Sequence, residues 1–287
     1  MTRTRATFVG FIAVLLWALL ALFTVGSAPV PPLLLNTLCF AMGGTLGLIW
    51  AASNGALPTL RAVPFKVYAF GTIGLFGYHA LYFSALRLAP AAEAGLIAYL
   101  WPLLIVVFSG LLPGERLMAG HVIGAAIGFA GAALIIMGGG TAFSTEYLIG
   151  YGLALLCALT WSGYSVLSRL VGNAPTATVA VFCLATAGLS LPLHLVFEET
   201  VWPETALGWA SVIGLGLGPV GLAFFVWDIG VKQGDIQLLG TSSYAAPLLS
   251  TLVLVLAGVA APSFTLLWAA VLVTGGAFVA ARASLKN

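Results

Sequence analysis

The sequence predicts an all-α protein that lies almost entirely within a membrane, and three observations support this fold class. Charged residues are 6% of the 287 residues, whereas soluble domains contain about 25%. Apolar residues are 61% of the chain, and the mean hydropathy is +1.13. The apolar residues form long runs, unlike the short, alternating strands of a β-barrel. This composition cannot cover a water-exposed surface, so a soluble domain is excluded.

Ten of these runs are long enough to cross a bilayer core of about 30 Å, which takes about 20 helical residues. The breaks between them are short and rich in proline and glycine, which interrupt helices. We therefore predict ten transmembrane helices, at 6–25, 31–51, 65–88, 92–112, 120–137, 149–170, 176–196, 207–230, 236–257 and 264–281.

Charged residues are distributed unevenly between the two sides of this topology. With the N-terminus in the cytoplasm, nine of the ten basic residues fall on the cytoplasmic side, and only Arg87 falls outside. The outer loops instead carry Glu146, Glu198, Glu199 and Glu204. Because cytoplasmic loops are enriched in lysine and arginine, we predict that both the N- and C-termini are cytoplasmic.

The chain also contains an internal repeat. Residues 99–104 (YLWPLL) align with residues 244–249 (YAAPLL) at an offset of 145 residues, and Arg87 aligns with Lys232 at the same offset. Since each half holds five helices, an odd number, the two halves have opposite orientations. Inverted repeats are typical of secondary transporters, whose halves exchange conformations around a central site. We predict two inverted five-helix repeats, at 1–140 and 141–287.

Aromatic and polar side chains concentrate in the third helix. Tyr78 and Tyr82 are four residues apart and share a helix face, with His79 about 100° away. Interfacial belts also collect tyrosine, but polar groups at mid-depth usually face protein or a water-filled cavity. We predict that these residues line a substrate path. His79 could donate a hydrogen bond to the substrate, carry a proton or connect two helices.

Prolines interrupt two repeat-related helices. Pro102 has no amide hydrogen and frees the carbonyl of Ala98, and Pro247 does the same for Ser243. Such carbonyls could receive a substrate ammonium group where they face a cavity. A structural kink without a binding role is the alternative.

Further candidates lie in the other helices that we expect to surround this path. Tyr99 and Trp101 are 200° apart on an ideal helix, so we do not expect both to face the same way. Tyr99 repeats as Tyr244 and is the better candidate of the two. The remaining candidate substrate-binding residues are Trp17, Trp161, Tyr164, Trp227, Ser243 and Tyr244.

Two carboxylates could bind a proton or an ammonium group. Asp228 lies near the cytoplasmic end of the eighth helix, and Glu93 lies at the outer mouth of the fourth. A solvated helix end is the alternative for both.

Several classes of function are excluded. The three cysteines have no metal-site spacing, and the net charge of +2 is too small to indicate a nucleic-acid partner. The sequence has no HExxH motif, no paired intramembrane aspartates and no GxSxG context, so we predict neither an enzyme nor a bound cofactor or metal.

Several motifs resemble the drug/metabolite transporter superfamily. They are residues 84–92 (SALRLAPAA), 101–104 (WPLL) and 114–117 (GERL), with glycines at 124, 128 and 131. The resemblance covers the chain as two copies of an EamA-type unit, whose early tryptophan-small pairs fall at Trp17 and Trp161. The second copy has Gly258-Val259-Ala260 where the unit has Gly-Glu, so a role for Glu115 has no symmetric counterpart.

The aromatic positions around Tyr78 and His79 are similar to those of bacterial aromatic amino acid exporters within this superfamily. This resemblance implies export across the bacterial inner membrane and a cavity lined by helices 1, 3, 4, 6, 8 and 9. We therefore expect a multi-pass secondary transporter of amino acids that acts in the lipid bilayer as a monomer or weak homodimer. Drug efflux and a nucleotide-sugar substrate are the alternatives, although a phosphorylated substrate needs a mid-depth lysine or arginine, which no helix centre has. Both facilitated diffusion and proton exchange remain open.

Overall fold

The computed structural model describes residues 1–137, 143–171 and 174–285, and these residues form helices and connecting turns without a strand. The predicted boundary between the repeats, at 140 and 141, lies outside the described residues. The α-helices are α1 (Arg3–Trp17), α2 (Leu20–Gly26), α3 (Pro32–Ser53), α4 (Leu57–Arg61), α5 (Phe65–Thr72), α6 (Tyr78–Leu88), α7 (Ala91–Ala98), α8 (Trp101–Ser109), α9 (Ala119–Ile136), α10 (Leu148–Leu167), α11 (Thr178–Phe197), α12 (Ala206–Leu217), α13 (Ala223–Gln233), α14 (Ile236–Ser242), α15 (Ala245–Leu256) and α16 (Phe264–Ser284).

Within the described ranges, nine helical stretches are long and apolar enough to cross a membrane. Each of the nine coincides with one predicted segment. The remaining predicted segment, 65–88, does not coincide with any of these nine stretches. That segment is nevertheless helical throughout, because α5 and α6 are joined by a π-helical turn at Ile73–Gly77. Tyr78, His79 and Tyr82 lower its hydropathy.

Irregular turns recur at the spacing of the sequence repeat. The π-helical turn at Ile73–Gly77 has a counterpart at Gly218–Leu222, 145 residues later at both ends. The predicted fourth helix is broken between α7 and α8, and the ninth between α14 and α15. Since π-turns and broken helices redirect the chain, both halves bend at equivalent positions.

Glycines allow two pairs of helices to approach closely. A side chain on Gly10 of α1 would lie 2.8 Å from the Cα atom of Gly230 in α13. On α16, a side chain on Gly276 would overlap the carbonyl oxygen of Gly124 in α9. Small residues at membrane helix interfaces permit this packing.

Ionic contacts at one end of the bundle form what we term the Arg169 cluster: Arg3, Glu115, Arg169 and Asp235. Arg169 donates hydrogen bonds to the Glu115 carboxylate and to backbone carbonyls at the end of α13. A guanidinium nitrogen of Arg3 lies 3.1 Å from a carboxylate oxygen of Glu115 and 3.4 Å from one of Asp235. The cluster thereby connects α1, α10, α13 and the turn between α8 and α9.

The opposite end of the bundle is organised around Glu198. Its carboxylate, of which 4% is exposed, accepts hydrogen bonds from the amides of Leu33 and Leu34 at the start of α3. Arg87 and His194 approach the same carboxylate at 3.3 and 3.0 Å. Glu198 therefore connects α3, α6 and α11 at this end.

Candidate functional site

A cavity of about 710 Å³ enters the bundle from the Glu198 end. Its lining comes from α1, α2, α3, α6, α7, α8, α10, α12, α13 and the π-helical turn at Gly218–Leu222. Its mouth is formed by exposed residues between α2 and α3, including Ala28 and Pro29, and by Pro32 at the start of α3. Towards the Arg169 cluster the cavity ends against buried aromatic rings.

Four tryptophans form this floor, and they come from four different parts of the sequence. Trp17, Trp101 and Trp161 line the cavity, while Trp227 packs behind them and is 1% exposed. Ring centroids are 5.9 Å apart for Trp17 and Trp101, and 5.1 Å apart for Trp17 and Trp227. Edge-to-face and tilted contacts of this kind stabilise aromatic clusters beyond the area that they bury. The rings therefore close the cavity towards the Arg169 cluster.

The indole nitrogens of the floor fall into two groups. Trp17 donates to the carbonyl of Pro219, and Trp227 donates to the hydroxyl of Ser165. The indole nitrogens of Trp101 and Trp161 have no hydrogen-bond partner among the described residues and are not fully enclosed. Because an indole nitrogen can only donate, these two present free donors to a bound molecule.

Tyrosines form the wall of the cavity above this floor. Tyr78 and Tyr82 stack with centroids 6.1 Å apart and an interplanar angle of 2°, and Tyr78 also contacts Trp161 at 5.4 Å. Tyr99 lines the cavity beside Trp101, and the centroids of the two rings are 6.3 Å apart. The hydroxyl groups of all three tyrosines have no hydrogen-bond partner among the described residues. The wall thus combines apolar faces with unpaired hydroxyls.

The expectation that Tyr99 and Trp101 face different ways is wrong, because both line the same cavity. The expectation assumed a continuous α-helix. In the structure α7 ends at Ala98 and α8 begins at Trp101, so the two residues belong to different helical pieces.

His79 is oriented by a backbone carbonyl. Its Nδ1 atom lies 2.7 Å from the carbonyl oxygen of Leu75. Because a carbonyl can only accept, Nδ1 carries the hydrogen, and Nε2 of the neutral ring is an acceptor. The ring lines the cavity and packs edge-on against Phe40, with centroids 4.9 Å apart. Of the roles expected for His79, direct donation from the neutral ring does not fit this geometry.

Asn36 is a further cavity residue, which the sequence alone does not single out. Its side-chain nitrogen donates to the hydroxyl of Ser190 at 2.7 Å. Its Oδ1 atom has no partner among the described residues, and the residue lines the cavity. The signal that marks it is a lone carboxamide in the apolar run 31–51.

Four predicted residues do not line the cavity. Trp227 and Tyr164 pack behind Trp161, with ring centroids 6.3 and 5.3 Å from that of Trp161. The hydroxyl of Ser243 is fully buried and donates to the carbonyl of Leu239 in its own helical turn. Trp227 and Tyr164 therefore support the tryptophan floor from behind, while Ser243 is satisfied within its own turn.

Tyr244 is the fourth, and it stabilises the break between α7 and α8. Its buried hydroxyl accepts a hydrogen bond at 3.0 Å from the amide of Leu103. This amide belongs to the first turn of α8, where helical amides lack partners within the helix. Pro102 occupies the same first turn, and Pro247 lies in the first turn of α15. The expectation that Pro247 frees the Ser243 carbonyl is wrong, because that oxygen accepts a hydrogen bond at 3.0 Å from the amide of Ala246.

The two predicted carboxylates also lie outside the cavity lining. Asp228 is buried and pairs with Lys232 at 2.8 Å and with the Thr176 hydroxyl at 2.8 Å. Glu93 is 5% exposed, and its Oε2 atom is buried without a partner among the described residues. No charged side chain from the described ranges lines the cavity. Within those ranges, no three His, Cys, Asp or Glu side chains come together as metal ligands.

Comparisons with known proteins match nearly the whole chain. The model of the EamA-like transporter family matches twice, over residues 4–137 and 148–282. The aromatic amino acid exporter YddG of Ancylobacter novellus is 54% identical over 282 residues, which are 98% of each chain. The aromatic amino acid exporter YddG of Escherichia coli is 26% identical and covers 97% of each chain. A solved protein structure that is 52% identical matches with a TM-score of 0.95 over 99% of each chain.

Proposed function

The chain belongs to the EamA-like transporter family, and from this premise we propose that it exports amino acids, aromatic ones in particular, across the bacterial inner membrane. It is an integral membrane transporter rather than an enzyme. The observation that carries the proposed substrate is the cavity, whose walls are aromatic and whose described lining residues include no charged side chain. The 54% identical relative, named an aromatic amino acid exporter, supports the same substrate class.

The cavity offers an amino acid two kinds of contact. An aromatic side chain that leaves water for the space between Trp17, Tyr78 and Trp161 gains about 1.5–3 kcal/mol from burial, and ring contacts add to this. The hydroxyls of Tyr78, Tyr82 and Tyr99 can donate hydrogen bonds to its carboxylate, which cannot otherwise be buried cheaply.

Ten transmembrane helices in two inverted repeats, with both termini in the cytoplasm, complete the proposal. Two successive matches to one family model support the repeat, as do the two π-helical turns 145 residues apart. Residues assigned to one side contact each other: Arg87 meets Glu198 outside, and Arg3 meets Glu115 inside. On this topology the cavity is open to the outside and closed to the cytoplasm by the tryptophan floor and the Arg169 cluster.

Alternating access then requires the Arg169 cluster to separate and the mouth at 28–32 to close. Each half bends at equivalent π-helical turns and helix breaks. Exchange of the two conformations between the inverted halves would open the cavity to the cytoplasm, which is the general scheme for inverted-repeat transporters.

Flux measurement in liposomes tests the proposal. We expect purified protein to release preloaded phenylalanine, tyrosine and tryptophan faster than protein-free liposomes do, and we expect altering His79 to reduce that release. Absence of flux for all three amino acids would contradict the proposal. Release of preloaded lipophilic cations without release of amino acids would favour drug efflux instead.

Facilitated diffusion is the proposed mode, because no charged side chain of the described lining is available to bind a coupling ion. Glu93 is the candidate for the alternative, proton exchange, since one of its carboxylate oxygens has no partner among the described residues. Flux with and without a pH gradient separates the two modes. Substrate accumulation driven by the gradient, and abolished in Glu93→Gln, would contradict facilitated diffusion.

A further inference from the structure

We propose that Asn36 and His79 bind the ammonium group of the substrate, and that Ser190 holds the Asn36 carboxamide in the orientation that this requires. This inference rests on the proposed function, because it assigns one end of the amino acid to one part of the same cavity.

The orientation of Asn36 follows from its hydrogen bond. The carboxamide nitrogen is 2.7 Å from the hydroxyl of Ser190, which is fully buried between α3 and α11. With its nitrogen held there, the carboxamide directs Oδ1 away from Ser190, and Asn36 is itself a cavity residue. Oδ1 is therefore a fixed, uncharged acceptor near the mouth.

Asn36 and His79 lie on the same side of the cavity. Phe40 is four residues after Asn36 on α3 and so shares its helix face. The ring of Phe40 packs edge-on against the imidazole of His79, with centroids 4.9 Å apart. The imidazole directs Nδ1 at the carbonyl of Leu75, which leaves Nε2 as the acceptor. Asn36 and His79 are thus linked through Phe40, and both line this side of the cavity.

An ammonium group can only donate hydrogen bonds, so it requires acceptors. The free indole nitrogens of Trp101 and Trp161 are donors only, and the tyrosine hydroxyls suit the carboxylate. Among the described lining side chains, Asn36 Oδ1 and His79 Nε2 are the unpaired acceptors that are not hydroxyls. The cavity therefore offers two chemically different sets of groups, one for each charge of a zwitterion.

Neutral acceptors also suit a carrier that must change conformation while it is empty. A carboxylate in place of Asn36 would become an unpaired charge each time the empty cavity closed, which is costly at membrane depth. A carboxamide held by Ser190 has no net charge to bury. It still forms a hydrogen bond to a cation, which is stronger than one between two neutral groups.

The test compares three molecules as competitors of labelled phenylalanine binding. Phenylalanine has both charges, phenethylamine lacks the carboxylate, and phenylpropionate lacks the ammonium group. For Asn36→Leu we expect phenylalanine and phenethylamine to bind at least about tenfold more weakly, while phenylpropionate is unaffected. For Asn36→Asp we expect phenethylamine to gain affinity and phenylpropionate to lose it.

Two further variants separate binding from structure. Thr37 lies on the same helix as Asn36 but does not line the cavity, and its hydroxyl donates to the carbonyl of Leu33. For Thr37→Val we therefore expect no change in the affinity of any competitor. Ser190→Ala should weaken the two ammonium compounds only, and Ser190→Thr should restore them. Equal weakening of all three competitors in Asn36→Leu would overturn the inference. Absence of phenylalanine binding by the unmodified protein would instead contradict the proposed function.

Discussion

Two tyrosine hydroxyls provide a matched test of which residues bind substrate and which support the fold. The Tyr78 hydroxyl has no protein partner among the described residues, and Tyr78 lines the cavity. The Tyr244 hydroxyl is buried away from the cavity and accepts the amide hydrogen of Leu103 at 3.0 Å. Replacing either tyrosine with phenylalanine removes one oxygen atom and leaves the ring in place.

The two variants should change different properties, substrate affinity in one and stability in the other. Tyr78→Phe removes a donor to the substrate carboxylate, and a hydrogen bond to a charged group contributes about 1.5–3 kcal/mol. Affinity for phenylalanine should therefore fall at least about tenfold. Stability should be unchanged, because no protein group loses a partner. Tyr244→Phe leaves the Leu103 amide unpaired, which should lower the free energy of unfolding by about 1–3 kcal/mol without weakening binding.

Titration of phenylalanine binding and the thermal unfolding midpoint, measured on both variants in the same detergent, check this prediction. The reasoning is refuted if Tyr78→Phe retains the affinity of the unmodified protein. It is also refuted if Tyr244→Phe reduces affinity as much as Tyr78→Phe at a temperature where both are folded.

Three further predictions concern packing and closure. Gly276→Ala places a methyl group against the backbone of the facing helix, so the thermal midpoint should fall. Glu198→Ala leaves two amides unpaired and should cost about 1–3 kcal/mol of stability, whereas Arg87→Ala, whose side chain is 54% exposed, should cost less than about 1 kcal/mol. Arg169→Leu loosens the Arg169 cluster, so cytoplasmic thiol labelling of Ser165→Cys, in a variant whose three native cysteines are replaced by alanine, should accelerate about tenfold.

Each of these three has a control within the chain. Gly275→Ala alters the neighbouring residue of α16, where a side chain meets open space, and should leave the midpoint unchanged. Similar losses of stability for Arg87→Ala and Glu198→Ala would contradict the conclusion that the buried Glu198 carboxylate organises this end of the bundle. Labelling of Ser165→Cys from the outer side should not accelerate with Arg169→Leu; acceleration there would indicate general unfolding.

The helical architecture follows from the sequence, because apolar length and proline or glycine breaks depend on local composition. Nine predicted segments coincide with spans, and the third is helical but carries polar side chains. The π-helical turns were not predicted, since a single inserted residue leaves no periodic signal in glycine-rich runs such as 73–77 and 218–222.

The candidate site is only partly predictable for physical reasons. Tyr78, His79 and Tyr82 stand out because polar groups in an apolar run require an explanation. Asn36 carries a similar signal as a lone carboxamide in an apolar run, but its orientation depends on Ser190, which is 154 residues away and which the sequence alone does not place beside it. Likewise, Trp227 looks equivalent to the other tryptophans until three-dimensional packing places it behind the cavity.

The position of a bound substrate tests the central claim most directly. A structure of the protein with para-bromophenylalanine would locate the bromine through its anomalous scattering. We predict one bromine in the cavity, against Trp161 and Tyr78, with the amino group towards Asn36 and His79. Saturating bromophenylalanine that binds elsewhere while the cavity between Trp17 and Tyr99 stays unoccupied would contradict the account.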